Sequence, residues 1–313
     1  MIDPTARNWL FRLYRVLPAN RFGLMVLHVM GWLASKQRPS GVRIWQDVID
    51  IDGRRVPAFV LAPEKATGPL PIVVHLHGGG YPIGRPDQDL ALMGHYIGLR
   101  PAIFVAPKYR RSLQAPYPAA LDDAYACLLW AKAQSAALGG DPARIFVMGE
   151  SAGGGLAAAL ALRARDRGEV AIAGQFPLYA MLEDRADRFT SRAASVLSWG
   201  RDMNLLAWRL YLGAGAGGPD APQEAAPARA KDLHGLPPAI GMVGDQDLFL
   251  DENRAYFDRL AEAGVSTNFR VFAGAYHAAE LLSPGSDVGQ EMRHWMDAAY
   301  CDAMDNLRAE QPD

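Results

Sequence analysis

From Pro39 onward the chain alternates short, β-branched apolar runs with longer segments whose apolar residues recur at helical spacing. Residues 72–77, 102–107, 145–148, 172–176, 240–243 and 269–272 read as strands, and segments such as 121–138 and 253–263 read as helices. The strand runs are nearly continuous in apolar residues, which predicts burial on both faces and hence a mostly parallel sheet covered by helices on both sides. Ahead of them, "VRIWQDVIDIDGRRVPAFVLAP" sets a D-G turn between two alternating runs, the pattern of an antiparallel hairpin at a sheet edge. One interval breaks the rhythm. Between Tyr179 and Leu236 no strand pattern occurs; the helical stretch "SVLSWGRDMNLLAWRLYLGAG" leads into a Gly/Ala/Pro-rich loop at 214–228. The division expected is a catalytic core at 41–178 and 236–313, with a cap built from residues 1–40 and the insertion 179–235.

The N-terminal pattern needs separate treatment. Residues 22–34, "FGLMVLHVMGWLA", are apolar but interrupted by His28 and shorter than the ~20 residues that a membrane span requires. Arg7, Arg12, Arg15 and Arg21, with aromatics between them, predict an amphipathic helix pair that docks on the protein's own body in preference to a membrane surface. Composition adds little but excludes much. With 313 residues, 50% hydrophobic and 21% charged, the chain has ample material for a large core. A net charge of −2, a pI near 6.4 and no basic run interleaved with aromatics argue against nucleic acid, leaving a small molecule as the expected partner. Cys127 and Cys301 lie far apart in helix-like contexts, so free thiols and a reducing, cytoplasmic setting are expected.

Chemistry concentrates at strand ends. In "IFVMGESAGGGLAAAL" the strand at 145–148 runs into an alanine-rich helix through Ser151, framed by Gly149 and Gly153 in G-x-S-x-G spacing. Such a turn strains the serine backbone, exposes its hydroxyl and leaves the new helix's first N–H groups free to meet an electrophile. In "VVHLHGGGYPIG" three successive glycines follow a strand; that costs conformational entropy unless the backbone must present N–H groups at close range. Gly78 and Gly79, with the amide of Ala152, are candidate oxyanion donors, each worth roughly 3–4 kcal/mol in a transition state. The loop has neither the Gly-Lys-Ser/Thr ending of a phosphate loop nor a helix opening at once after it. Of seven histidines, His277 is placed best as a base, in the loop after the last strand; His294, His28, His95 and His234 lie in helical or peripheral segments. His75 and His77 form an H-x-H on one strand face with no carboxylate or cysteine cluster in sequence reach, so no metal site is expected there. "GMVGDQDLFLDEN" supplies the orienting acid: Asp247 is chosen, Asp245 is the alternative, and Asp251 is assigned to capping the next helix. Tyr81 and Glu150 complete the candidates as substrate-pocket residues, Glu150 more as a buried organiser of the loop.

The segments "HGGGY", "KYRRSLQAPYPAALDDAYACLLW", "GESAGG", "LPPAIGMVGDQDLFLDE" and "YHAAE" together resemble the hormone-sensitive-lipase-like bacterial esterases of the α/β-hydrolase superfamily. The resemblance runs in family order from Pro69 to Glu280 and implies an α/β-hydrolase fold with a helical cap, a Ser151, Asp247, His277 triad and oxyanion donors at Gly78, Gly79 and Ala152. It further implies hydrolysis of short- to medium-chain carboxylic esters through an acyl-enzyme, with no metal or organic cofactor, and allows a homodimer. A lactonase or acyltransferase on the same triad is the alternative, and a non-catalytic ligand receptor on the same scaffold a more distant one. The chain departs from the family at Leu248-Phe249 after the acid and at Ala278-Ala279 after the histidine, positions that bear on substrate preference.

Overall fold

The computed structural model describes residues 2, 3, 5, 17–34, 38–51, 53–185, 198–309 and 311. Trp9 and the arginines at 7, 12 and 15, together with residues 186–197 of the cap insertion, lie outside the described residues. The frame is an eight-stranded sheet: β1 (Val42–Ile51), β2 (Arg54–Pro63), β3 (Leu70–Leu76), β4 (Ile103–Pro107), β5 (Gly140–Glu150), β6 (Gly174–Leu178), β7 (Ala239–Gly244) and β8 (Thr267–Phe272), in the order β1-β2-β4-β3-β5-β6-β7-β8. The β1–β2 hairpin pairs antiparallel, as the D-G turn predicts, and β2 also meets β4 antiparallel; every other pairing is parallel.

Side chains on the central strands alternate between two apolar layers. Ile72, Val74 and Leu76 of β3 and Ile145 and Val147 of β5 enter one core, while Val73, Phe146 and Met148 enter the other. The first core is closed by α3 (Ala119–Ala133), α5 (Ala152–Arg167) and α7 (Leu250–Glu262), the second by α2 (Leu90–Leu99) and α9 (Asp287–Asn306). Two cap helices are described, α1 (Arg21–Ala34) and α6 (Arg201–Leu212); two short ones, α4 (Ser135–Leu138) and α8 (Ala279–Leu282), complete the described α-helices.

Local boundaries differ from the sequence pattern in two informative places. The expected helix 121–138 breaks at Gln134 into α3 and α4, and α4 ends on Gly139, whose φ of 77° supplies the left-handed stop. The sixth strand begins two residues later than expected, at Gly174, because Ile172 is buried without entering the parallel ladder. Burial makes a run apolar whether or not its backbone is paired. Cys127 is buried and Cys301 half-buried, both as free thiols. Among the described residues no helix is long and apolar enough to cross a membrane.

Candidate active site

The site forms where β3, β5, β7 and β8 end. Ser151 sits between β5 and α5 with φ 58° and ψ −119°, a conformation that costs a side-chain-bearing residue on the order of 1–3 kcal/mol. The two framing glycines let this turn close: a Cβ on Gly153 would stand 1.9 Å from the carbonyl oxygen of Leu76, and one on Gly149 would stand 2.3 Å from that of Gly153. The elbow is held from outside as well. Ser151 donates its N–H to Leu178 at 3.0 Å, and its carbonyl accepts from Gly155 and Met181 at 3.0 and 2.9 Å.

Beyond β3 the glycine loop folds back over this turn. Gly79 adopts φ 130°, open only to glycine, and its carbonyl accepts the N–H of Ile83 at 3.1 Å. Gly78 lies so close to the elbow that a Cβ there would come within 3.6 Å of Ser151 Cβ. Among the hydrogen bonds of the described residues, the amides of Gly78, Gly79 and Ala152 donate to no protein acceptor. The unspent donors thus belong to the glycine loop and to the helix start that follows Ser151.

His277 reaches the same hydroxyl from the loop after β8. Its Nε2 lies 3.0 Å from Ser151 Oγ and its Nδ1 lies 2.9 Å from Asp247 Oδ2. Asp247 comes from the turn after β7, where its other oxygen accepts the Phe249 N–H at 3.0 Å. Tyr179 and Phe249 both meet the imidazole edge-on, at 5.1 and 5.0 Å between centroids, fixing its plane. Asp247 is 1% exposed, whereas Ser151 and His277 are each 8% exposed, so the acid is sealed and the other two keep an opening. The cap adds a restraint: Ser198 Oγ donates to the carbonyl of His277 at 2.9 Å.

The remaining candidates sort by contact. Asp245 turns away from the imidazole and accepts the Gly274 N–H at 2.8 Å, tying the two loops together. Asp251 does not cap α7; it lies in the helix's first turn, where a carboxylate suits the dipole, and Phe249 occupies the cap position. Tyr81 does not line an open pocket. It is 1% exposed, stacked on Tyr211 of α6 at 3.9 Å, with its hydroxyl donating to Met181 at 3.4 Å. Trp199 instead presses on the glycine loop, since a Cβ on Gly80 would collide with its ring at 2.2 Å. His294 is exposed, and His95 and His234 pair with Asp297 and Asp232 at 2.8 and 2.7 Å.

Glu150 is also not a pocket residue, and the expectation that the H-x-H has no carboxylate companions fails with it. On the face of the sheet opposite α5, His75 Nε2 lies 3.3 Å from Asp89 and 3.6 Å from Glu150, all three buried. Asp89 stands fourteen residues beyond His75 and Glu150 on the adjacent strand, a meeting set by strand register that spacing alone does not announce. Burial lowers the affinity of His75 for its proton, but Glu150 and the hydrogen bond to Asp89 outweigh it, and the net shift is upward. Burial raises the Glu150 carboxyl to about 8, against the pull of His75. These three side chains are the only described group of His, Cys, Asp and Glu close enough to share a cation; they are also close enough to share protons. His77 stays outside, stacked on Tyr109 at 4.1 Å and pushed down to about 3 by burial.

Comparison with known proteins follows the same lines as the geometry. A family model described as an alpha/beta hydrolase fold matches residues 73–281. The chain is 37% identical over 232 residues to carboxylesterase NlhH of Mycobacterium tuberculosis, covering 72% of each chain. It is 38% identical over 208 residues to esterase LipI of the same organism, covering 65% of this chain and 63% of that one. Among solved structures, a bacterial heroin esterase superposes with a TM-score of 0.86 at 30% identity, over 97% of this chain and 98% of the other.

Proposed function

On the premise that the chain belongs to the hormone-sensitive-lipase-like esterases of the alpha/beta hydrolase fold and is a carboxylic ester hydrolase, we propose that Ser151 is its nucleophile and forms the acyl-enzyme. His277 takes the hydroxyl proton at Nε2 while Nδ1–H donates to Asp247, which holds that tautomer and stabilises the imidazolium as it forms. The amides of Gly78, Gly79 and Ala152 receive the developing oxyanion, and the protonated His277 then returns its proton to the leaving alcohol. Water attacks the acyl-enzyme by the same route, with His277 again as base. The observation that carries this reading is the imidazole bridging Ser151 Oγ and Asp247 Oδ2 at 3.0 and 2.9 Å.

The substrates are esters of short to medium acyl chains. The small opening at Ser151 and the Trp199 ring against the glycine loop support that size range. The test is turnover of p-nitrophenyl acetate, butyrate, octanoate and laurate by the wild-type chain beside Ser151→Ala. The expected result is a preference for the shorter esters and a loss of kcat on the order of 10⁴-fold or more in the variant, with the melting transition retained. Turnover indifferent to Ser151, or none in the wild type, overturns the mechanism.

A further inference from the structure

Helix α1 is apolar on two sides. Leu24 and Leu27 turn inward to a small cluster with Ile83 of the glycine loop and Met203 of α6, and the same helix is tied to the core where Arg111 Nη1 donates to the His28 ring at 3.1 Å. The opposite side carries Phe22, Met25 and Val29, which are 59%, 55% and 44% exposed, at the i, i+3, i+7 spacing of a single stripe. These three account for half of the exposed large hydrophobic side chains described in the molecule, and among the described residues the cluster that docks α1 on the core does not include them. Arg21, exposed at the head of the helix, flanks the stripe beside Met25.

Charge says what kind of surface the stripe fits. Between Asp3 and Asp47 the sequence holds seven lysines and arginines and no acidic residue, although the whole chain carries a net −2. Of these, Arg21, Arg38 and Arg43 are described and exposed. An apolar stripe within a cationic, acid-free stretch matches a bilayer surface with anionic headgroups, where apolar side chains enter the acyl boundary and arginines stay among phosphates. We propose that the outer face of α1, centred on Phe22, Met25 and Val29, docks the protein on anionic lipid membranes. Docking there places the bilayer against the outer side of the helix whose inner side packs on Ile83, and so brings the glycine loop within one helix of the lipid phase from which lipophilic esters partition.

The experiment is flotation of the full chain with vesicles of phosphatidylcholine alone and with about a third phosphatidylglycerol, at low and high salt. Wild type is expected to float with the anionic vesicles, less so at high salt, and hardly at all with phosphatidylcholine. The F22S/M25S/V29S variant is expected to lose at least about tenfold in partitioning while keeping the wild-type melting transition. Should that variant fail to fold, Arg21→Glu replaces it, with an expected severalfold loss that high salt erases. Absence of wild-type binding to both vesicles, or folded variants that bind as wild type does, overturns the proposal. So does a wild-type dimer in light scattering that becomes monomeric in F22S/M25S/V29S, which would make a second copy the occupant. Binding is read without turnover, so failure of the acyl-enzyme mechanism would leave this result intact.

Discussion

Asp245 and Asp247 are two residues apart, and only their contacts separate their roles. Asp247 meets His277 at 2.9 Å, while Asp245 meets the Gly274 N–H at 2.8 Å. Asp247→Asn is therefore expected to lower kcat on the order of 10⁴-fold with little effect on melting, because the amide favours the wrong imidazole tautomer. Asp245→Asn is expected to keep kcat within a few-fold and cost about 1 kcal/mol in stability through its weakened loop hydrogen bond. Parallel kinetics and denaturant titrations of both variants check the pair; equal losses of kcat would remove Asp247 from its role. Glu150 yields a different kind of outcome. Its folded pKa, about 8, lies above the ordinary carboxyl value of 4.5 that it regains on unfolding. The stability it supports is complete below that ordinary value and falls as pH rises toward 8, since the unfolded chain releases the proton first. Glu150→Gln is expected to flatten the decline in stability between pH 5 and 8, read from urea midpoints across pH. An unchanged slope would mean that Glu150 is ionised in the folded protein at neutral pH. Nothing in the sequence announced this cluster: the His75–Glu150 contact is created by β3 and β5 lying side by side.

Helix packing decides which glycines are replaceable. Gly153 and Gly98 are both helical, in α5 and α2, yet a Cβ on Gly153 would stand 1.9 Å from the Leu76 carbonyl while one on Gly98 would meet nothing within 4 Å. Gly153→Ala must push α5 off β3, displacing the Ala152 amide with it; a loss of roughly 1–3 kcal/mol and at least a tenfold drop in kcat are expected. Gly98→Ala replaces a glycine in the last turn of α2 without a clash and is expected to stabilise by up to about 0.5 kcal/mol with kinetics unchanged. Thermal melts and steady-state kinetics of the two variants read both effects. The glycines of G-x-S-x-G were legible as a tight turn, and the contact that forbids a side chain, β3 against the start of α5, is what the pattern could not name. Tyr81 illustrates the reverse. Its place after the glycine loop suggested a pocket wall, but stacking on Tyr211 makes it the post on which α6 rests.

At the scale of the molecule, the alternation of apolar runs carried the sheet, because strands buried on both faces have no room for polar side chains. The strand order, with β3 between β4 and β5, is a property of crossovers and left no local trace. Ser151, Asp247 and His277 could be picked out because each follows its own strand, where a parallel sheet gathers loops at one edge. The cap helices were visible as apolar segments; their unequal attachment was not. Helix α6 enters the large core through Ala207, Trp208 and Tyr211, whereas α1 is held by a cluster of four buried side chains, Leu24, Leu27, Ile83 and Met203. Removing residues 1–36 should therefore keep a cooperative unfolding transition but lower it modestly: α1 puts no side chain into either large core, whereas Ile2 packs on the second and Asp3 accepts the Val288 N–H. It should still change catalysis. Ile83 would lose its cover, and Ile83 is the residue whose N–H holds the carbonyl of Gly79 at 3.1 Å. A looser glycine loop stabilises the oxyanion less well and admits longer acyl chains, so kcat/KM for the acetate ester is expected to fall about tenfold while the ratio of octanoate to acetate turnover rises. Circular dichroism melts with the p-nitrophenyl ester series measure both quantities on one preparation. Intact folding with an unchanged chain-length profile would show that α1 stands clear of the acyl site.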